Sequence, residues 1–240
     1  MKIRAVIFDV YKTMLEVQPP SNDPEARWQV LARSRFGAAA GLRFAEFSAR
    51  CDHIIAREHA RARSVGILHP EVFWPDVVGE ALPELATLPP EDRDEFLFQQ
   101  QTLFRTVRLM RGVAEALQLL RERGVPRGIA SNAQPYTLRE FESSLAGTGL
   151  AMPDFTPELC FWSFEHGFSK PDPHVFRLLT ARLQARGVSP GETLMVGDRL
   201  DNDIEPARAQ GWQAWQLTSL AGGADYGDWE QLRGFLETRT

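Results

Sequence analysis

The sequence predicts an α/β fold, a doubly wound parallel sheet with an α-helical domain inserted after the first strand. Three observations carry this expectation. Residues 3–8, Ile-Arg-Ala-Val-Ile-Phe, are a short apolar run that stops at Asp9, the pattern of a buried strand. Next come about 90 residues of helical pattern with almost no strand signal, far more than the dozen or so that a crossover connection needs. From Arg111-Gly112 onward strands and helices alternate, as a parallel sheet covered on both faces requires.

The elements follow in order. Pro19, Pro20, Ser21 and Asn22 mark a loop within 15–23, and Asp23-Pro24-Glu25 starts a helix with Asp as N-cap and Pro in the first turn. Helices are expected over 24–36, 43–64, 70–82 and 90–106, with Gly66 and Pro89-Pro90 as separators. Helix 113–123 closes at Gly124 and leads to strand 127–131, helix 135–146 and strand 159–163. Asp172 caps a helix over 173–186, with Pro173 at its first position and Gly187 behind it. Strand 193–197 runs into Asp198, helix 202–210 ends at Gly211, and strand 212–217 completes the alternation.

Composition excludes several classes. The chain has 240 residues, 43% hydrophobic and 25% charged, enough to bury a core without disulfides or metal staples. A net charge of −5 argues against a nucleic-acid-binding surface. No apolar run reaches the about 18 residues that a membrane span needs. The apolar run at the start meets Asp9 too early for a secretory signal. Cys51 and Cys160 stand far apart, which suits a reducing, cytoplasmic setting better than a disulfide scaffold. The aromatic-rich insert leaves monomer and homodimer both open.

Open parallel sheets place ligands at the carboxyl ends of their strands, and four features fall there. Asp9 follows strand one, with Thr13 four residues on; Ser131-Asn132 follows the next core strand. Lys170 stands in Phe-Ser-Lys-Pro-Asp-Pro at a helix entrance, and Gly-Asp-Arg-Leu-Asp-Asn-Asp (197–203) follows the strand at 193–197. Together they bring a carboxylate nucleophile, a hydroxyl, an ammonium and further carboxylates to one point. Of the 27 basic residues only Lys2, Lys12 and Lys170 are lysines. A compact ammonium where the chain otherwise uses Arg fits a small anionic site.

This ordered set resembles the haloacid dehalogenase-like (HAD) hydrolase superfamily over the whole chain. Asp9 to Thr13 is similar to its first motif D-x-x-x-[TV], Ser131 to the second, Lys170-Pro171-Asp172-Pro173 to the K-P-x-P third, and Gly197, Asp198 and Asp203 to the fourth, G-D-x-x-x-x-D. The resemblance implies a Rossmann-like core over 1–15 and 108–240 and a helical type-one cap over 16–107. Such caps go with small soluble substrates. It implies a hydrolase acting through a covalent intermediate on Asp9. Mg²⁺ would be held by Asp9, the Tyr11 carbonyl and Asp198, a hard oxygen set. Lys170 would offset carboxylate repulsion, and Ser131 with nearby N–H groups would bind phosphate oxygens. Asp203 would support the metal or orient Lys170, and Thr13 would orient the loop.

One departure divides the readings. Family phosphatases usually carry a second Asp two residues after the nucleophile, the acid that protonates the leaving group; here Tyr11 stands there. L-2-haloacid dehalogenases of the superfamily have Tyr at that place, in D-x-Y-G-T, and use no metal. Lys12 replaces their Gly, Phe176 replaces their Tyr six residues after the Lys, and Asp198 replaces their fourth-motif Ser. The expected function is a Mg²⁺-dependent phosphatase of a small anionic metabolite, weak for want of the acid, whose loss costs about 10²–10⁴ in rate. A metal-independent dehalogenase and a non-catalytic anion binder are the alternatives.

Other residues read as structural. His53 and His59 stand six apart on a helix and share no face, and His69, His166 and His174 show no metal-ligand pairing. Trp28, Phe36, Phe44, Phe47, Phe73 and Trp74 read as the core of the insert. Asp201 reads as a solvated or capping residue, since Asp198 and Asp203 fit the motif better, and Asn202 has no assigned role. Lys12 faces either solvent or the mouth of the pocket, with Asn132 beside the substrate. Arg27, Arg35, Arg43 and Arg57 are candidates for a cap arginine that reaches the substrate.

Overall fold

A computed structural model of the chain describes residues 2–19, 23–37, 41–219 and 222–240. Residues 20–22 of the expected loop lie outside the described residues. The strands are β1 (Ala5–Phe8), β2 (Leu15–Gln18), β3 (Thr106–Leu109), β4 (Arg127–Ser131), β5 (Cys160–Trp162), β6 (Thr193–Gly197), β7 (Gln213–Leu217) and β8 (Tyr226–Gly227). The helices are α1 (Pro24–Phe36), α2 (Phe44–Ser64), α3 (Trp74–Ala81), α4 (Pro90–Thr102), α5 (Val113–Glu122), α6 (Pro135–Leu145), α7 (Ser163–His166), α8 (Pro173–Ala185), α9 (Glu205–Ala209) and α10 (Trp229–Arg239).

Six strands form one sheet in the order β5-β4-β1-β6-β7-β8, each neighbouring pair parallel. Side chains alternate between its faces, as the two-residue period of a strand dictates. Val6 and Phe8 of β1 join Leu194 and Val196 of β6 under α5, α6 and α10, through Leu117, Phe141 and Leu232. Ala5 and Ile7 join Met195 on the other face, under α8 and α9, through Phe176, Leu179 and Ala207. Helices on both faces leave these strands wholly apolar, which is why each reads as a short unbroken run. The chain leaves β1 for the β4 side and returns on the β6 side, so the end of β1 is a topological switch point, where such sheets bind ligands.

Helices α1–α4 bury a separate cluster. Trp28 stacks on Phe47 with centroids 4.5 Å apart and meets Phe96 edge-on at 6.1 Å. Phe36, Phe44 and Trp74 pack against this cluster, but Phe73 is 40% exposed and lies beside Phe164 instead. The predicted helix starts hold: the side chains of Asp23 and Asp172 accept from the N–H groups of Glu25 and His174, both at 2.9 Å.

Several expectations change. Residues 15–18 form β2 rather than loop, and the helix expected to reach 106 ends at Thr102, after which β3 pairs antiparallel with β2. The expected boundaries of the insert, near 15 and 108, fall at this two-stranded ribbon. The helix expected from residue 70 starts at Trp74, because residues 69–73 run extended against the loops of the sheet. Residues 202–210 divide into a π turn, Leu200–Ile204, and α9. Beyond residue 217 the structure adds β8 and α10, for which the sequence pattern sets no expectation.

Candidate active site

The site forms where the loops after β1, β4 and β6 converge. The Asp9 N–H donates to the Val196 carbonyl at 2.9 Å, which fixes the nucleophile candidate against the neighbouring strand. Lys170 Nζ donates to Asp9 Oδ1 at 2.8 Å and to Asp203 Oδ1 at 2.5 Å. Thr13 Oγ1 donates to Asp9 Oδ2 at 3.0 Å. Asp203 Oδ2 accepts from the Arg199 N–H at 3.1 Å. Its carboxylate presses on Gly197 so closely that a Cβ there would come within 2.5 Å of it, so the glycine of the fourth motif makes room for this side chain.

The charges are concentrated. Burial raises the Asp9 carboxyl to about 6; Lys170 opposes that rise, while Asp203 and Asp198 add to it. Burial and Asp203 likewise raise Asp198. Burial works against the Lys170 charge, but Asp203 and Asp9 outweigh it and hold the ammonium above its ordinary range. Lysine is 2% exposed here, a buried cation paired with two carboxylates.

One oxygen from each of Asp9, Asp198 and Asp203 lies within 4.8 Å of the others, the group able to hold a metal among the described residues. In the loop after Asp9 the backbone bonds go to the carbonyls of Val10 and Leu15, leaving the Tyr11 carbonyl outside them. This donor set is all oxygen and suits Mg²⁺.

Ser131 is fully buried, and its hydroxyl has no hydrogen-bond partner among the described residues. A buried hydroxyl left unpaired points to a missing ligand atom. Asn132, expected beside the substrate, engages Lys170 instead: its Nδ2 donates to the Lys170 carbonyl at 2.9 Å and its Oδ1 accepts from the Lys170 N–H at 2.8 Å. The peptide bond that follows, Lys170–Pro171, is cis.

Tyr11 points away from the carboxylates. Its hydroxyl lies 2.5 Å from Glu140 Oε2 and 2.8 Å from Thr137 Oγ1, and it accepts from Arg105 Nη2 at 2.6 Å. Arg105 also pairs with both oxygens of Glu140 and covers the Tyr11 ring at 4.3 Å. Burial raises the Tyr11 hydroxyl well above its ordinary range. Lys12 is exposed and stands at φ 60°, a conformation that favours glycine.

A cavity of about 190 Å³ adjoins the site, lined by residues that include Tyr11, Asn132, Tyr136, Arg105 and Glu71. The candidate cap arginines are engaged elsewhere: Arg35 with Asp92, Arg43 with Glu46, Arg57 with Glu80, and Arg27 with the Leu103 carbonyl. Arg105 and Glu71 line this cavity and Glu140 stands behind it against Arg105 and Tyr11; none of the three has a sequence signal, since packing rather than a motif brings them there. Asp201 is solvated and pairs with Arg199, and Phe176 lies in the core. None of the histidines joins the carboxylate group.

A parallel sheet with a buried aspartate at its switch point, answered by lysine and two more aspartates from later strands, is the arrangement of HAD-type proteins. The chain matches the haloacid dehalogenase-like hydrolase family over residues 3–211 and belongs to it. It is 36% identical over 144 residues to a phosphoserine phosphatase of Thermus thermophilus, covering 59% of this chain and 53% of that one. The chain spans about half the length of the curated relatives it matches, or somewhat less. In fold it resembles a 2-haloacid dehalogenase of Pseudomonas syringae pv. Tomato (TM-score 0.61, 17% identity, 99% of this chain and 100% of that one). A HAD phosphatase of Thermococcus onnurineus is also similar (TM-score 0.56, 22% identity, 99% and 100%). Among the described residues no helix is long and apolar enough to cross a membrane.

Proposed function

We propose that this HAD-family hydrolase is a phosphatase of small phosphorylated compounds that works through an aspartyl-phosphate on Asp9, with core residues 1–15 and 108–240 and a cap at 16–107. The observation that carries this reading is the gathering of Asp9, Asp198 and Asp203 around one point. A dehalogenase needs no such set, because a second metal-site carboxylate would repel the substrate's own. The phosphatase relative supports the same reading.

Asp9 attacks phosphorus, and the bond from phosphorus to the leaving oxygen breaks with its electron pair. Water then attacks phosphorus, the bond to Asp9 breaks, and the carboxylate returns with release of phosphate. Thr13 and Lys170 hold the two Asp9 oxygens, so the nucleophile reaches phosphorus in one orientation. Ser131 donates its free hydroxyl to a phosphate oxygen. Asp203 keeps Lys170 in place against the combined negative charge. Mg²⁺, held by Asp9, Asp198 and the Tyr11 carbonyl with support from Asp203, would neutralise the charge of the phosphoryl group. Tyr11 hydrogen-bonds within the Glu140–Arg105 group and supplies no proton to the leaving oxygen, so aryl and other stabilised leaving groups react best.

Tyr11 favours a second reading, the metal-independent 2-haloacid dehalogenase, in which Asp9 displaces halide from carbon. The non-catalytic binder would gain if Tyr11 or Lys12 filled the phosphate position; the Tyr11 hydroxyl turns toward Glu140 and Lys12 is exposed, so silence in both assays below is what would raise it. The test is hydrolysis of an aryl phosphate with and without Mg²⁺, beside halide release from 2-chloropropionate, with Asp9→Asn as blank. Mg²⁺-dependent phosphate release lost in the variant is the expected result. Metal-free halide release selects the second reading, and turnover retained by Asp9→Asn would sink the covalent mechanism.

A further inference from the structure

The cavity lined by Tyr11, in the loop after Asp9, and by Asn132, next to Ser131, has an uneven charge. Its cation, Arg105, is already matched: Nε and Nη2 pair with the two oxygens of Glu140, and Nη2 also reaches the Tyr11 hydroxyl. Its carboxylate, Glu71, has no such match. Among the described residues no Lys, Arg or His forms an ion pair with it. It is held by neutral donors: the Val72 N–H at 3.1 Å, Gln134 Nε2 at 3.2 Å and Ser163 Oγ at 2.7 Å.

Those donors fix where Glu71 stands. It lies on the extended segment before α3, whose backbone is bonded to the loop preceding Lys170: the Glu71 N–H donates to the Gly167 carbonyl at 3.0 Å, and the Ser169 N–H to His69 at 2.9 Å. Gln134 binds the segment from the other side, accepting from the Trp74 N–H at 2.8 Å and donating to the Val72 carbonyl at 2.8 Å. Ser163, which donates to Glu71, accepts from the Ala133 N–H at 2.8 Å, two residues beyond Ser131. Glu71 is thus a carboxylate from the insert, anchored at both flanks of the site and facing a small cavity. A carboxylate offers about four lone-pair sites, and three are taken, leaving one for a ligand donor. Burying such a group without a cation is unfavourable, and burial holds its carboxyl above the ordinary range.

We propose that Glu71 is a specificity-determining residue that selects phosphate esters whose leaving group carries an ammonium and rejects those carrying a second carboxylate. This rests on the phosphatase reading above and names the leaving group that the same site prefers. At about 190 Å³ the cavity is smaller than the few hundred Å³ of typical ligand pockets, so short esters are the fitting probes.

The test is a series of three esters alike in length and different in charge, assayed with Mg²⁺: phosphoethanolamine, 2-hydroxyethyl phosphate and phosphoglycolate. The expected order of kcat/KM is ammonium, then hydroxyl, then carboxylate. In Glu71→Gln, which keeps the shape and one acceptor, the ratio of the first to the third falls by about tenfold or more, as loss of a charged hydrogen bond implies. A matching thermal midpoint shows that the variant is folded. An aryl phosphate serves as reference. If it is hydrolysed but the three esters show no such order, or the ratio is the same in Glu71→Gln, the inference is overturned and the phosphatase reading stands. A preference for phosphoglycolate overturns it too and assigns selection to the other charged group of the cavity, Arg105. Silence on the aryl phosphate as well removes the phosphatase reading, and this inference falls with it.

Discussion

Trp229 donates its indole N–H to the carbonyl of Thr13 at 3.0 Å, across 216 residues of chain. The same Thr13 donates its hydroxyl to Asp9. The C-terminal helix therefore holds the loop that orients the nucleophile, and the stacking of Trp229 on Phe8 at 6.0 Å ties that helix to the strand carrying Asp9. Gly112 meets the same side chain so closely that a Cβ would approach Trp229 Cβ to 2.7 Å.

Trp229→Phe keeps a ring and removes the donor. The buried Thr13 carbonyl then lacks its partner, which destabilises the fold by about 1–3 kcal/mol. Urea unfolding should show the lower midpoint, and kcat should drop while KM changes little. An unchanged kcat would mean that Thr13 needs no support from α10.

Lys170→Met leaves Asp9 and Asp203 buried without their shared cation, and removing one partner of such a group costs about 3–5 kcal/mol. Asp9 already sits at about 6 because of burial, Asp203 and Asp198. With the folded value above the unfolded one, stability is fully present at low pH and declines as pH rises through about 6. The deficit of Lys170→Met should accordingly be larger at pH 8 than at pH 5 in chemical denaturation. Equal deficits at both would contradict the ion-pair account. Lys170→Arg should not restore activity, because a planar guanidinium cannot replace a compact ammonium between two carboxylates.

On the phosphatase reading, Mg²⁺ competes with the proton on Asp9. Affinity measured by calorimetry should hold above pH 6 and weaken below it by about tenfold per pH unit, with proton uptake by the buffer on binding. A flat profile down to pH 5 would place the ion away from Asp9.

Tyr11→Asp returns a carboxyl to the position two residues after the nucleophile. Turnover should rise for alkyl esters, whose leaving group needs a proton, by up to about 10²–10⁴, and much less for aryl esters. Equal effects on both ester types in the folded variant would show that the missing acid is not what limits this protein.

The legible parts of the fold were those with local signals. The strands β1 and β6 are apolar runs that meet Asp9 and Asp198, β4 ends in Ser131, and the caps at Asp23 and Asp172 are decided within three residues. By contrast β2 and β3 are four residues each, adjoin Pro19 and a helical run, and gain strand character only from each other across the insert. In the site, Asp9, Lys170, Asp198 and Asp203 were legible because each is pinned to a strand end or helix entrance. Glu71, Arg105 and Glu140 were not, since their meeting depends on how the insert packs on the sheet. Asn132 was legible as a neighbour of the site, but nothing local shows that its amide will close on the backbone of Lys170 while the residue still lines the cavity.

The ribbon of β2 and β3 has a mechanical consequence. Its ladder is separate from that of the six-stranded sheet, so the ribbon can act as a torsion bar. A tilt of the helical cluster twists the ribbon and leaves the sheet intact. Opposing such a tilt are the bonds of residues 69–74 with Gly167, Ser169, Gln134 and Ser163, together with the ion pair of Arg139 on α6 with Glu95 on α4. Because Ser169 adjoins Lys170 and Ser163 is bonded to Ala133, those bonds join the insert directly to the loops that carry the site, so strain taken up by the ribbon is felt first at Lys170 and Ser131.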